Sequence, residues 1–446
     1  MGFQRSNILM IHCHDLGQYL GCYGVKTVQT SNLDAFASSG VRFTQSFSTA
    51  PTCSPSRASL FTGRYPHNNG VMGLCHANFA WDLHGTERHL AQILKEAGYR
   101  TAAAGVVHET RSGAARCGYQ EYDRPSTAAT AADNAIRRLT SFRDESIHPF
   151  FLFVGFEEPH RLPHPNAETP GDNWFITPNF PLDDSLGVQV PGYLRDTPGT
   201  RRELAELQGA VRYADTHFGR LMTAVRILGL EPNTLVIFTT DHGVALPRAK
   251  CSLYDPGIQV ALLLRLPSRR GWHGGGLHSS LISNIDMLPS ILDLLGTPIP
   301  ETVQGRSFKP LLDGDTRPTR DEIFAEMTYH DYYDPRRCIR TGRYKLILNF
   351  TTAPFFMDPS QCWRPRSDTL YPVNHAVAYH NPVELYDLQE DPWELHDISA
   401  MPEAAEIKSD LLRRLRVHLE ETGDPILQGA ITSPQHFAAQ RLLVDE

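Results

Sequence analysis

The sequence predicts an α/β protein: a mostly parallel central sheet flanked by helices, followed by a smaller C-terminal antiparallel sheet with one packed helix. Three observations predict it. Apolar runs of strand length alternate with amphipathic helical stretches over roughly the first 310 residues. Several of those runs end in charged or metal-ligating residues, as buried parallel strands do at the carboxyl edge of an open sheet. Beyond the polar loop Asp313-Gly314-Asp315-Thr316-Arg317-Pro318 the alternation gives way to consecutive short strands.

In chain order, Asn7 to Cys13 (NILMIHC) reads as a buried strand that delivers His14-Asp15. Asn32 to Ser39 reads as a helix, and His84 to Gly98 as a longer one, with Leu90, Ile93, Leu94 and Ala97 on one face and Gly98 as its stop. Arg100 to Val107 returns as a strand. Phe150 to Phe156 (FFLFVGF) is apolar throughout and ends in Glu157-Glu158-Pro159-His160-Arg161. The span His164 to Thr200, rich in Pro, Asp, Asn and Gly, reads as a long loop at a pocket mouth.

A helix from Arg201 to about Leu228 carries Leu204, Leu207, Val211, Ala214, Phe218, Leu221 and Val225 at helical spacing, with Gly229 as terminator. Thr234 to Thr240 is a strand delivering Asp241-His242-Gly243, Val260 to Leu266 another strand, and Asp286 to Leu295 a helix. Past the polar loop, Ile323 to Glu326, Cys338 to Arg340, Tyr344 to Asn349 and Val383 to Tyr386 read as strands, and Glu403 to Thr422 as a polar helix. The expected division is a catalytic domain over 1–315 and a small α+β subdomain over 316–446.

Composition narrows the function. With 446 residues, 41% hydrophobic and 21% charged, the chain is ordinary globular material. A net charge of -8 and a pI near 6.2 exclude a protein built chiefly to neutralise nucleic-acid phosphates. No signal-peptide pattern and no apolar run of membrane-spanning length is visible, so a cytoplasmic chain without membrane attachment is expected. The eight cysteines are scattered, with no C-x-x-C pair, which suits reduced thiols.

The most informative stretch is Cys53-Ser54-Pro55-Ser56-Arg57. Pro55 and the helix-forming residues after it place Cys53 at a helix start, where backbone N–H groups and Arg57 favour negative charge and suit an oxyanion. Taken alone, the pattern also describes a buried cysteine beside an ordinary arginine. Four clusters, however, fall at the ends of expected strands: His14-Asp15, Cys53 with Arg57, His160, and Asp241-His242 with Lys250 downstream. Asp15 and Asp241 offer the oxygens a hard divalent cation prefers, while His14 and His242 add nitrogen and tilt the preference toward a borderline metal.

Cys53 to Arg57, continued by Gly63-Arg64-Tyr65-Pro66-His67, resembles the signature of the sulfatases, in which that cysteine is oxidised to formylglycine after translation. The likeness extends along nearly the whole chain, through Glu158-Pro159-His160-Arg161, the FTTDHG strand end with Lys250 and Leu253-Tyr254-Asp255-Pro256-Gly257, Ser283 to Leu292, Gly305-Arg306-Ser307, Arg340 to Lys345, and Glu384 to Leu388. Within the family it looks most like N-sulfoglucosamine sulfohydrolases and their bacterial relatives.

The resemblance implies metal ligation by His14, Asp15, Asp241, His242 and modified Cys53, with calcium the first candidate and manganese, magnesium or zinc compatible with the two histidines. It implies that Arg57 steadies the formylglycine, that His160 and Lys250 bind sulfate oxygens and one of them protonates the leaving group, and that His108 serves as base. The implied partners are a sulfate ester or sulfated sugar and a maturation enzyme for Cys53; a homo-oligomer is compatible. Two positions depart from the family pattern: His14 stands where an Asp is usual, and Val106 where a lysine normally contacts sulfate. The missing lysine keeps a phosphonate monoester or phosphodiester hydrolase open as an alternative. A binding protein with an unmodified Cys53 is the alternative of another class, and a cysteine hydrolase is weaker because Pro55 and Arg57 have no required part in it.

Other residues invite a reading. His12 shares a strand face with His14, but no zinc site follows from it. Glu157, Arg161 and His164 stand at the edge of the His160 loop, where substrate contact and plain solvation are both open. Trp272 is expected in a turn as an exposed aromatic, and Tyr329 to Tyr333 as a packed aromatic cluster.

Overall fold

Seven strands of the central eight-stranded sheet run in one direction, so their carboxyl ends share an edge. Across the sheet the order is Gly276–His278, Val41–Phe43, Leu262–Arg265, Thr234–Thr240, Asn7–Cys13, Phe150–Phe156, Arg100–Gly105, Glu121–Asp123; Leu262–Arg265 alone is antiparallel to its neighbours. The computed structural model describes residues 5–124, 127–145, 148–163, 173–175, 181–353, 367 and 379–443.

The central strands are apolar on both faces because each face is covered. On one side Leu9, Ile11, Leu152, Val154, Val236 and Phe238 pack against helices Ser31–Ser39, Ala128–Asp144 and Pro198–Ile227. On the other, Ile8, Met10, Phe151, Phe153, Leu235 and Ile237 meet helices Cys53–Thr62, Leu90–Glu96 and Met287–Leu295. The period-two alternation along Asn7–Cys13 sends His12 to the second face, where it is fully buried against Phe153, the ring centroids 6.0 Å apart. Burial, with Arg57 nearby, holds its imidazole well below its ordinary pKa, so His12 is a neutral core residue.

The second sheet is fully antiparallel, in the order Glu322–Tyr329, Tyr333–Thr341, Tyr344–Asn349, Val383–Asp387. One face, with Ile339, Leu346 and Leu385, packs on Leu411, Leu415 and Leu419 of helix Ala405–Thr422. The other, with Ile323, Ala325, Cys338, Ile347 and Tyr386, packs on Phe47, Leu253, Tyr254 and Ile258. A buried ionic joint reinforces that contact, with Asp255 held by Arg340 at 3.0 Å and by Lys345 at 2.6 Å.

The structure corrects two local expectations. The helix expected over 84–98 spans Leu90–Glu96, because His84–Glu87 closes as a turn and His89 Nδ1 accepts from Ala91 N, starting the helix there. Trp272 is 1% exposed, packed into the core with its indole N–H donating to Asp313, so it is no surface aromatic. Tyr329 packs against Trp81 and Tyr333, as the packing reading expected. Among the described residues Cys13, Cys22, Cys53, Cys75, Cys117 and Cys338 are free thiols, and no helix is long and apolar enough to cross a membrane. His164 and Cys362 lie outside the described residues.

Candidate active site

The strand ends converge as the sheet direction requires. Asn7–Cys13 and Thr234–Thr240 are in-register neighbours, Cys13 opposite Thr240, so His14-Asp15 and Asp241-His242 leave the sheet side by side. Asp15 takes a left-handed φ of 48°, and its N–H donates to Asp241 Oδ1 at 2.9 Å. Gly17 N donates to His242 O and Gly243 N to Gly257 O, both at 2.8 Å, which ties the two loops together. Gly243 must be glycine here, since a Cβ would stand 1.7 Å from Pro256 O.

Cys53 opens the helix Cys53–Thr62, whose ten residues are all buried, with Thr52 before it and Gly63 closing it at φ 69°. Ser56 Oγ donates to Asp241 O and Asn284 Nδ2 to Ser56 O, locking the helix start to the Asp241 loop. Cys53 Sγ then lies 3.3 Å from His242 Nε2 and 3.9 Å from Asp15 Oδ1. His242 Nε2 is also 3.2 Å from Asp15 Oδ1 and 3.7 Å from Asp241 Oδ1. Its Nδ1 donates to Gly243 O at 2.9 Å, which fixes the tautomer and leaves the Nε2 lone pair aimed into the cluster.

His14, Asp15, Cys53 and Asp241 place one ligand atom each within 4.8 Å of one another, all buried. His14 Nδ1 lies 3.0 Å from Asp241 Oδ2 and 4.0 Å from Asp15 Oδ1. Two carboxylates, two imidazoles and residue 53 crowded around one buried point are the donors a divalent cation would take. The donor set therefore fits a metal.

Cations balance the two carboxylates. Burial raises the Asp241 pKa, but His242, His14 and Arg57 outweigh it and hold the group well below the carboxylate range. Arg57 is completely buried; its Nε donates to Asp241 Oδ2 and its Nη1 to Val106 O, both at 3.2 Å, while its Nη2 is buried without a partner. Lys250 Nζ donates to Asp15 Oδ2 at 2.7 Å and stands 3.5 Å from His160 Nε2. Burial opposes the Lys250 charge, yet Asp15 prevails, so Lys250 stays protonated and Asp15 ionised. His160 Nδ1 donates to Arg161 O at 2.6 Å. Burial lowers the His160 pKa, Asp15 pulls it back, and Lys250 lowers it again, leaving a neutral ring that accepts at Nε2.

Burial, despite Lys250, pushes the unmodified Cys53 thiol up to about 12, so the free cysteine is held protonated.

His108 sits where the pocket widens, its ring centroid 6.1 Å from that of His14 and its Nε2 2.9 Å from His76 Nδ1. His76 carries no sequence signal, since Gly-Leu-Cys-His matches no motif or period; tertiary placement alone brings it here. Val106 and His108 line a cleft of about 850 Å³ together with His14, His76, Arg111, Tyr122, Arg124 and His160. Glu157 also lines it, whereas Arg161 is buried and paired with Glu203. The segment Tyr254-Asp255-Pro256-Gly257 lies outside the site and braces the second sheet, Tyr254 O–H donating to Glu384 at 2.8 Å.

Comparison with known proteins decides the family. The sulfatase family model matches residues 6–297, and the model of the N-sulphoglucosamine sulphohydrolase C-terminal region matches 248–357. The chain belongs to the sulfatase family. It is similar to an ulvan-active sulfatase of Formosa agariphila, 27% identical over 97% of this chain and 83% of that protein. Human N-sulphoglucosamine sulphohydrolase is 28% identical over 94% of this chain and 91% of its own length. A structure solved with its substrate D-glucosamine-2-N,6-O-disulfate superposes at a TM-score of 0.69 and 19% identity, covering 94% of this chain and 99% of that one. The sulfatase is a hydrolase of sulfuric ester or sulfamate bonds, in the alkaline phosphatase superfamily.

Proposed function

We propose that this sulfatase removes sulfate from a sulfated sugar through a formylglycine made from Cys53 by a maturation enzyme. The convergence of His14, Asp15, Asp241 and His242 on Cys53 at the head of a buried helix, beneath a cleft large enough for a sugar, supports this reading. A hydrated aldehyde at position 53 supplies one hydroxyl to attack sulfur and a second whose proton loss later expels sulfate. The cation, calcium first with manganese, magnesium and zinc as comparisons, would be held by His14, Asp15, Asp241, His242 and residue 53, and would offset the negative charge gathered there.

The remaining roles belong to this chain's own side chains. Arg57 fixes Asp241 and keeps Nη2 to donate to the hydrate or to a sulfate oxygen. Lys250 Nζ holds the proton for the departing oxygen or nitrogen, with neutral His160 beside it as the second sulfate contact. His108, neutral because burial, with His14 and Arg57 nearby, lowers its pKa, accepts the proton of the second hydroxyl, and His76 holds its ring at Nε2. With Val106 in place of a lysine, sulfate binding rests on Arg57, Lys250, His160 and the metal.

The test is peptide mass spectrometry of residue 53 in protein co-expressed with a formylglycine-generating enzyme, paired with rates on 4-nitrophenyl sulfate, glucosamine N-sulfate and an aryl phosphonate ester. Conversion at residue 53, sulfate turnover and its abolition by Cys53→Ala are expected. Turnover by an unconverted Cys53, or a faster rate on the phosphonate, overturns the proposal.

A further inference from the structure

A second cavity, of about 440 Å³, shares no lining residue with the cleft lined by His14, His108 and His160. Leu16 and Gly17 in its wall follow Asp15 directly, and Val244 lies two residues past His242, so the two spaces back onto the same loops. No step of sulfate hydrolysis uses it.

Its walls are aromatic and amide. Tyr19, Tyr23, Tyr193 and Trp393 line it, with the Tyr193 and Trp393 rings 5.5 Å apart and tilted by 53°. Trp393 is 40% exposed, and its indole rests on the bare backbone of Gly192, where a Cβ would come within 2.4 Å of Nε1. The same wall carries Gln18, Gln45, Gln189 and Gln259. Gln18 Nε2 donates to Val260 O at 3.0 Å and Gln259 Nε2 to Thr44 O at 3.1 Å, so two amide planes are set in advance. Gln189 Oε1 accepts from Lys26 N at 3.2 Å, which orients a third, solvent-facing amide. The charged side chains of the wall, Asp255 and Arg340, neutralise each other at 3.0 Å.

Each feature selects against a class of ligand. An anion or cation finds no unpaired counter-charge in this wall, and a purely apolar ligand strips water from the Gln18, Gln189 and Gln259 amides without replacing it. A neutral pyranose fits both requirements: its C–H face lies flat on an aromatic ring while its hydroxyls bond to amides, and the volume is that of a small-ligand pocket. We propose that this cavity is a second carbohydrate site that takes an unsulfated sugar unit, with Trp393 as its platform and the Gln189 amide as a donor to a sugar hydroxyl.

Saturation-transfer NMR and tryptophan fluorescence on the full chain test it, with cellobiose, lactose and N,N'-diacetylchitobiose as probes and inorganic sulfate present at saturation to fill the catalytic cleft. At least one probe is expected to bind in the presence of sulfate. Trp393→Ala and Gln189→Leu, on opposite kinds of contact, should each weaken that binding by about tenfold or more. Turnover of 4-nitrophenyl sulfate should stay within about twofold of wild type in both variants, since neither side chain reaches the catalytic cleft. Should one variant fail to melt cooperatively, the other decides. Absence of binding by all three probes, displacement by sulfate, or wild-type binding by the folded variants overturns the proposal.

Discussion

Replacing Lys250 by Met removes the cation 2.7 Å from Asp15 Oδ2 and keeps most of the side chain's volume, so the experiment isolates charge from packing. Both partners are buried, and taking one member from such a pair costs about 3–5 kcal/mol because the other charge stays in a low-dielectric setting. The neighbouring His242 Nε2, 3.2 Å away, presents a lone pair and does not replace the lost cation, so the expected loss is about 3–5 kcal/mol in metal-free protein. A divalent cation beside Asp15 replaces the missing positive charge, so added metal should stabilise the variant more than the wild type. Losing one charge-assisted donor to a reacting sulfate should cut kcat by about 10²–10³-fold. Lys250 also lowers the His160 pKa, so the acid limb of the pH–rate profile should move to higher pH. Urea unfolding with and without metal, and kinetics on 4-nitrophenyl sulfate, read these quantities. A variant whose kcat stays within about threefold of wild type and whose unfolding midpoint is unchanged would refute the wiring described here.

Two further outcomes follow from buried ionisable groups. In protein made without the maturation enzyme, Cys53 should resist iodoacetamide in the native state near pH 8 and react once unfolded in urea, because burial holds the thiol at about 12; peptide mapping checks this, and rapid native alkylation would contradict it. Burial also raises Glu158 to about 7 from an ordinary 4.5, so the folded state holds that proton more tightly than the unfolded chain does. Its stabilising contribution is complete below the unfolded value and lost as pH climbs through about 7, a decline of about 3 kcal/mol at most. Glu158→Gln should flatten that part of the stability curve, measured by urea unfolding from pH 4.5 to 8; parallel curves for both proteins would count against it.

The layered sheet was legible because its strands are short apolar runs whose ends change character abruptly. NILMIHC before His14-Asp15 and TLVIFTT before Asp241-His242 announced both the strands and the edge where they deliver ligands. The start of the helix at His89 was not legible, because a histidine cap leaves little trace in an apolar pattern that already repeats upstream. Trp272 was misplaced for a related reason: the Gly-rich sequence around it specifies a turn, but the neighbouring Asp313 that receives its N–H is 41 residues away.

For this sulfatase, the sequence by itself singled out Cys53, the carboxylates and histidines around it, and the cations facing them, because local chemistry at strand ends and a helix start is written in adjacent residues. Tertiary structure alone decided three things: that His76 joins His108, that Lys250 is spent partly on Asp15, and that Tyr254–Gly257 braces the second sheet rather than the substrate. The physical reason is the same in each case. Burial and pairing depend on which distant segments the sheet edge brings together, and burial set the protonation of Cys53 against what its helix position alone would favour.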